Sequence, residues 1–344
     1  MKALLLFRFI KPIYTIVVIM FLVVLTACSS VEDDNASDVQ QNNINPVVPE
    51  KPKSTESEPT SFENYEEYIS YISEVPDFEP YYKTVFAFEE LPNGITSVPI
   101  EEVKAMYNEM KATFDYVLVN EHSLVHRGNY EGDTSFVEGY EPSQTTDISM
   151  ESSSPINTVS RDWQGNEILT TPLKTVILGE SVSTRFDSSI DEGRNLQVAD
   201  FTLKSPNEPI SVVLGNAYKD IYAIGDIFSL ELISEVMDFK VVGFYKSGVG
   251  LSKDVGALDH VNFDHTIVMP HFIPDYEPVG EAAVFQHAFL VAELMSGHIR
   301  IQKSVEDIED ATYEQTVEIM EEIAERHNLS SLYKVPYWPV GFVW

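Results

Sequence analysis

Cys28 is the only cysteine among the 344 residues, and this limits how the chain can be stabilised. A single thiol cannot close an intramolecular disulfide, so the fold must rest on an ordinary hydrophobic core. Hydrophobic residues make up 44% of the sequence. The roughly 280 residues that follow the polar N-terminal segment are enough to bury such a core.

The residues before Cys28 have the parts of a secretory signal. Three basic residues lie near the start: Lys2, Arg8 and Lys11. An almost wholly apolar run then extends from residue 13 to residue 25, and small residues precede the cysteine, as at a signal cleavage point. Leu25-Thr26-Ala27-Cys28 resembles a bacterial lipobox. This predicts that residues 1–27 are a lipoprotein signal peptide and that Cys28 is lipidated, with palmitate among its acyl chains.

An uncleaved transmembrane helix is the alternative to processing, because about 20 apolar residues span a bilayer. Thr26, Ala27 and the polar residues after Cys28 favour cleavage. Either arrangement places the rest of the chain on the extracytoplasmic face of the cell membrane.

The charge of the mature chain excludes two classes of partner. Without residues 1–27 it carries 19 Lys and Arg against 55 Asp and Glu, a formal charge of −36. Binding to nucleic acid depends on cationic contacts to phosphates, and adsorption to anionic lipid depends on basic patches. We therefore expect no nucleic-acid partner, and contact with the membrane only through the N-terminal lipid.

Residues 28–60 are rich in Ser, Asn, Asp, Glu and Pro and contain few apolar residues. Such a segment cannot bury enough surface to offset its ordering entropy, which predicts a disordered acidic tether. As a flexible coil it would span about 30 Å.

Periodicity predicts helices and strands in the remainder. Helices are expected from Thr60 to Pro76, after Pro99, and in an acidic segment that ends near Asn328. Short apolar runs predict strands at residues 82–88, 114–119, 175–178, 210–214, 228–233, 239–245 and 266–269, the last stopped by Pro270. Residues 128–164 are polar and have no clear pattern. The mixture of predicted helices and strands is typical of an α+β fold.

An ordered series of short motifs resembles the MacB-like periplasmic core domain, the extracytoplasmic part of ABC permeases with an FtsX-like membrane region. The motifs are Glu192-Gly193-Arg194, Asp200, Val212-Val213-Leu214-Gly215, Gly225-Asp226-Ile227, Phe239-Lys240-Val241-Val242-Gly243 and Ile267-Val268-Met269-Pro270. The glycines also suit strand ends and turns, which gives them a structural explanation that needs no family.

The resemblance implies a core domain at residues 61–335 with two lobes. A porter-like βαβ lobe would comprise residues 61–170 and 281–335, and a β-rich sabre-like lobe would comprise residues 171–280. Residues 336–344 would form a C-terminal tail, irregular because of Pro336, Pro339 and Gly341.

The function implied is that of a non-enzymatic accessory to an FtsX-like ABC permease and its ATPase. The sequence ends at Trp344 without a later apolar run of membrane-spanning length, and it contains no P-loop, so we expect neither conduction nor ATP hydrolysis. A second hypothesis is a lipid-anchored protein that delivers a small molecule or metal. It predicts a deep cleft between two lobes with convergent polar groups.

Other candidate sites are weaker. His260, His265 and His271, with Asp259 and Asp264 between them, could bind metal, but loop histidines on an acidic surface explain them as well. His122 and His126 form a weaker pair. Five tyrosines could line a groove or simply pack: Tyr65, Tyr68, Tyr71, Tyr81 and Tyr82. Because no nucleophile elbow or distinct carboxylate pair is present, we expect no catalytic residues and no cofactor.

The end of the chain, residues 337–344, is unusually apolar and aromatic for a terminus. It could dock on its own domain or on a partner, and docking on its own domain is favoured.

Overall fold

The computed structural model describes residues 81–86, 95–140, 154–162, 164–253, 260–277, 279, 283–301, 313–334, 339–340 and 342–343. The predicted signal peptide, the tether and the helix expected from Thr60 to Pro76 lie outside these residues. Within the described part of the chain, no helix combines the length and apolar character required to span a membrane.

Four α-helices are present among the described residues: α1 Ile100–Thr113, α2 Glu180–Ser183, α3 Ala283–Met295 and α4 Tyr313–Arg326. The sequence accounts for the limits of α1. Pro99 precedes it, acidic Glu101 and Glu102 lie in its first turn, and basic Lys111 lies in its last turn, so the side-chain charges complement the helix dipole.

The strands of the first half are β1 Tyr81–Lys83, β2 Val85–Phe86, β3 Phe114–Val117, β4 Val119–Arg127, β5 Thr158–Arg161, β6 Glu167–Leu178, β7 Ile190–Gly193, β8 Thr202–Leu203 and β9 Ile210–Leu214. Those of the second half are β10 Ile227–Leu232, β11 Glu235–Tyr245, β12 Gly250–Lys253, β13 His260–Asn262, β14 Ile267–Pro270, β15 Ile273–Pro274, β16 His298–Ile301, β17 Tyr333–Lys334, β18 Pro339–Val340 and β19 Phe342–Val343.

Six of these strands close into a barrel. They are hydrogen-bonded in the order β10-β4-β6-β14-β9-β11, and β11 pairs again with β10 to complete the ring. The β14–β6 and β11–β9 pairs are parallel and the other four are antiparallel. β5 and β7 attach to the outside of this ring, on β6 and β11. We call this part the barrel lobe.

Parts of four barrel strands, β6, β9, β11 and β14, are buried on both faces. On β6, Ile177 belongs to the main apolar cluster while Val176 belongs to a second cluster. Val212 and Val213 on β9 divide in the same way. Because successive side chains of a strand point to opposite faces, strands buried on both sides have continuous apolar sequences instead of alternating ones. This explains the uninterrupted apolar runs at 175–178, 210–214 and 267–269.

A second part of the fold is a helix–sheet lobe. Its antiparallel sheet has the order β18-β1-β16-β3, and helices α1, α3 and α4 pack together beside it. Apolar side chains of these helices belong to the same cluster as the barrel interior: Val103, Met106, Met110, Leu294, Met320 and Ile323. The two lobes therefore share one core, and the α+β fold class is confirmed.

Several sequence predictions differ from the structure in detail. β4, β5 and β6 include residues that had been assigned to the porter-like part, and they pair within the barrel lobe. The chain passes from the helix–sheet lobe to the barrel at Leu118, where β3 leads directly into β4. The strand predicted at 266–269 ends at Pro270 itself, which is its last residue and pairs with Leu178 in a parallel ladder. The division into porter-like and sabre-like ranges stays a prediction.

The C-terminal tail is not wholly irregular. β18 pairs with β1, and β19 pairs with β12, which adds main-chain hydrogen bonds at two sheet edges. The proline and glycine spacing predicted irregular structure, but the two open edges accept short strands on either side of Gly341. The terminus thus docks on its own domain.

Candidate functional site

A cavity lies where α3 crosses one end of the barrel, and we call it the mouth cavity. Its volume is about 40 Å³. Its lining residues are Ile177, Leu232, Ile233, Met237, Met269, Pro270, His271, Phe272, Pro274, Tyr276, Gln286, Phe289 and Leu290. The strand-derived residues and His271 are buried, whereas Phe272, Tyr276, Gln286 and Phe289 are half-buried and form the rim.

His271 is the unusual member of this lining. It is only 4% exposed, and neither ring nitrogen has a hydrogen-bond partner among the described residues. Its backbone N–H donates to the Leu178 carbonyl at 2.8 Å, which fixes the residue at the end of β14. Burial, reinforced by the nearby Lys111 cation, lowers the pKa of the His271 imidazole to about 3. The ring is therefore neutral at physiological pH.

Two further titratable groups lie between the barrel and α3. Asn120 on β4 donates to the Glu293 carboxyl on α3 at 2.6 Å, and burial raises the pKa of Glu293 to about 7. The His122 ring lies 5.2 Å from the Phe289 ring, and burial lowers the pKa of His122 to about 4. His122 lies beside Phe289 of the cavity rim, but neither His122 nor Glu293 is itself a lining residue, so these shifted pKa values reflect the burial of both groups where α3 packs on β4.

Backbone strain is found at the same place. The β10–β11 hairpin turns through Ile233 and Ser234, with φ angles of 49° and 63°. The left-handed region is costly for a β-branched residue, by roughly 1–2 kcal/mol. A glycine-containing turn would avoid this cost. Ile233 instead supplies a side chain to the cavity wall.

Gln286 secures α3 at the rim by donating to the Glu235 carboxylate at the start of β11. His287, one residue later, makes a hydrogen bond to the Val98 carbonyl at 3.1 Å. Polar contacts therefore hold α3, the helix that covers the cavity, to β11 at one point and to Val98, just before α1, at another.

The chemistry available in the mouth cavity is limited. Its lining contains no acid, no lysine or arginine and no cysteine, and its one titratable imidazole is neutral. Such a lining suits an uncharged ligand. It contains neither an acid/base couple nor ligands for a metal ion.

Two of the three histidines proposed as metal ligands, His265 and His271, do not converge. His265 packs its ring 5.3 Å from Phe136, at the end of β14 opposite His271. Asp264 accepts instead from the Gly248 backbone N–H at 2.9 Å. Asp259 is outside the described residues, and within those residues no group of three potential ligands could hold a metal ion.

The other pair, His122 and His126, lies on β4 and not on a helix. His126 packs against Tyr130 at 5.5 Å and His122 against α3, so the two rings have different surroundings. Among the candidate tyrosines, buried Tyr81 donates to Asp115 at 2.8 Å, which supports a packing role.

The motif residues of the family-like series are structural. Arg194 makes a two-pronged ion pair with Asp200, at 2.6 and 3.1 Å, and Asp200 also accepts from the Gln197 backbone N–H at 2.7 Å. Asp226 accepts from the Ala223 N–H at 2.8 Å, and this closes the turn at Gly225, whose φ is 96°.

Three glycines of the series allow close backbone contact. Gly193 and Gly243 are paired across β7 and β11. A Cβ on Gly243 would meet the Arg194 carbonyl oxygen, and a Cβ on Gly215 would meet the Phe263 carbonyl oxygen. The series thus encodes the packing of the barrel lobe, which confirms the structural explanation of these glycines.

A second cavity of about 300 Å³ lies in the barrel lobe and is lined by residues of the 180–201 segment. Five of its lining residues are polar: Glu180, Thr184, Asp187, Asn195 and Gln197. The mouth cavity is not the deep, polar cleft that the ligand-delivery hypothesis predicted, and that hypothesis stays a prediction.

Sequence reasoning missed the mouth cavity and the Asn120–Glu293 contact, because α3 meets β6 at the cavity and β4 at Glu293, each more than a hundred residues away along the chain. One signal was available for His271. It follows directly on the apolar run Ile267-Val268-Met269-Pro270, and a residue that extends a doubly buried strand is itself expected to be buried. Cys28 lies outside the described residues, so its lipidation stays a prediction.

Comparison with solved structures gives a structural likeness. No protein-family model matches the chain, and no curated protein matches it. Among solved structures, it is similar to the extracellular domain of the noncanonic ABC-type transporter YknZ from Gram-positive bacteria. The identity is 10% and the TM-score 0.35, over 74% of this chain and 99% of that chain. A TM-score of this size does not establish a shared fold, so we base function on the residues of this chain.

Proposed function

We propose that this chain is a lipid-anchored extracytoplasmic accessory protein of an ABC transport system. It binds an FtsX-like permease that works with a cytoplasmic ATPase, and it catalyses no reaction itself. The Cys28 lipid holds it at the membrane, and residues 28–60 let the folded part reach its partner.

The observation that carries this proposal is the ordered motif series in the barrel lobe. Gly193, Gly215 and Gly243 each stand where a side chain would collide with backbone, and Arg194–Asp200 forms a tight ion pair. Residues with such strict steric roles are compatible with only one local backbone arrangement. Their order along the chain is the order expected for a MacB-like core domain.

A surface suited to a protein partner supports the proposal. Ile221, Ile224 and Ile227 lie close together in sequence and are 53%, 47% and 56% exposed. Ile227 begins β10, whose other end lines the mouth cavity, so this patch is at the opposite end of the barrel. Exposed apolar patches on soluble domains commonly mark interfaces.

Photo-crosslinking in intact cells tests the proposal. A benzophenone amino acid placed at Ile224 should capture an FtsX-like permease, and its ATPase should co-purify with the complex. The same probe at Val159, which is 62% exposed on β5, is the matched control and should give less of the adduct. Failure to recover a permease from any exposed position would contradict the proposal.

The lipid anchor is tested separately. Cys28→Ala should either release the protein from the membrane or leave it unprocessed, with no incorporation of labelled palmitate. Ser29→Ala is the control and should be processed and labelled normally. A Cys28→Ala protein that is still labelled with palmitate would show that the lipobox interpretation is wrong.

A further inference from the structure

The wall of the mouth cavity contains buried polar atoms that make no hydrogen bond to any described residue. Both ring nitrogens of His271 are buried without a hydrogen bond to any described residue, which is a costly state for a polar group. Ile233, in the same wall, is held at a positive φ. Two independent departures from ordinary packing therefore meet in one small space, where a fully apolar lining would have been more stable.

We propose that the mouth cavity binds an uncharged aromatic molecule that carries a hydroxyl group, such as a phenol. The hydroxyl can both donate and accept, so it can satisfy the imidazole of His271. The proposal goes beyond the accessory function and does not depend on the identity of the transporter.

The small volume of the cavity determines the orientation of such a ligand. A volume of about 40 Å³ is room for about three waters, so the inner part holds a hydroxyl group and the atoms next to it. The half-buried rim supplies Phe272, Tyr276 and Phe289, against which an aromatic ring can pack. His271 is part of the same lining, so its ring lies beside the space that the hydroxyl occupies.

The charges in and around the mouth cavity disfavour anionic and cationic ligands. The lining offers no cation to an anionic ligand, and Glu235 at the rim repels one. A cationic ligand would have to lose its hydration against an apolar wall in which His271 is neutral. An uncharged molecule avoids both costs.

Titration with three probes of similar shape tests the proposal on the full-length chain. The ¹⁵N signals of the His271 ring are followed by NMR during addition of phenol, benzene or benzoate. Phenol should shift them in a saturable way, with affinity on the order of millimolar for so small a molecule. Benzene should bind about two- to tenfold more weakly, as expected for loss of one hydrogen bond. Benzoate should not bind.

Two variants assign the effect to His271. His271→Phe should remove the preference for phenol over benzene, whereas the matched control His265→Phe, at the other end of β14, should retain it. If His271→Phe does not fold, the wild-type ring signals decide by themselves.

The proposal is overturned if phenol causes no saturable change, or if phenol and benzene bind equally well. It is also overturned if His271 exchanges hydrogen bonds with water alone, since the cavity would then be a hydration site only.

Discussion

The barrel lobe and the helix–sheet lobe are stabilised in different ways. The barrel depends on backbone-to-backbone contacts, as at Gly243 and Gly215, where an added methyl group would meet a carbonyl oxygen. The helix–sheet lobe depends on flexible apolar side chains such as Met106, Met110 and Met320, which adapt to their neighbours. Strict backbone contacts leave a recognisable motif in a sequence, whereas adaptable packing does not. This explains why the family resemblance is clearest in the barrel.

Gly243→Ala should have the largest effect on stability. The new methyl group would overlap the Arg194 carbonyl and force β7 away from β11, at a cost of about 4 kcal/mol or more. Urea denaturation followed by circular dichroism measures the loss. Gly128→Ala is the control, because a Cβ there has open space and only its φ of 104° is unfavourable. It should cost about 1 kcal/mol. Equal losses would contradict the steric explanation.

Substitution of Met106 should show the tolerance of the helix–sheet lobe. Met106 is 1% exposed on α1, so Met106→Ala should lose about 3 kcal/mol through the cavity that it leaves. Met106→Leu keeps the volume and should lose about 1 kcal/mol or less. The same denaturation measurement applies. If leucine is as damaging as alanine, the helix–sheet lobe packs as strictly as the barrel, and the contrast drawn above is wrong.

The contribution of the interface between the lobes to the stability of the protein should depend on pH. The folded pKa values of His122 and His271, about 4 and 3, lie below the usual 6.5. The stability that these residues contribute is present above pH 6.5 and is lost as the pH falls through 4 and 3. Glu293 has a raised pKa of about 7, so its contribution is present below pH 4.5 and is lost as the pH rises to 7. For these three groups together, stability should peak near pH 6.5.

Glu293→Gln isolates the contribution of Glu293. Glutamine keeps an oxygen that can accept from Asn120 but carries no charge, so the variant should be more stable than wild type at pH 8 by about 3 kcal/mol. At pH 4.5 the two proteins should be equally stable. Glu318→Gln, at an exposed position on α4, is the control and should change little at either pH. A gain for Glu293→Gln at pH 4.5 of the same size would show that titration is not the cause.

Much of the secondary structure was predictable because it depends on local patterns. The apolar run at 210–214 gave β9, the alternation from residue 228 gave the β10–β11 hairpin, and the pattern after Pro99 gave α1. Residues 128–164 were not assigned, since β5 is only four residues long, is largely exposed, and owes its existence to the neighbouring β6. Short edge strands of this kind form because a partner is available.

The candidate site could not be predicted in the same way. His271 was identified by sequence, but as one of three possible metal ligands, since spacing alone places His265 and His271 close together. In the structure His265 and His271 lie at opposite ends of β14, and His271 lines an apolar cavity that α3 covers. The separation follows from extended geometry, whereas the cavity follows from the packing of α3 against β6, β10, β11 and β14, which come together only in the folded chain.

The sequence by itself determined that these residues can form no disulfide among themselves, that the chain is strongly acidic, and which segments have the apolar character of doubly buried strands. These properties belong to composition and to neighbouring residues. Only the tertiary structure decided that six strands close into a ring, that α3 covers its mouth, and that the buried His271 ring has no hydrogen-bond partner among the described residues. Closing the ring joins β10 to β4 across more than a hundred positions, and strand order and helix placement depend on the packing of the whole core rather than on any local pattern.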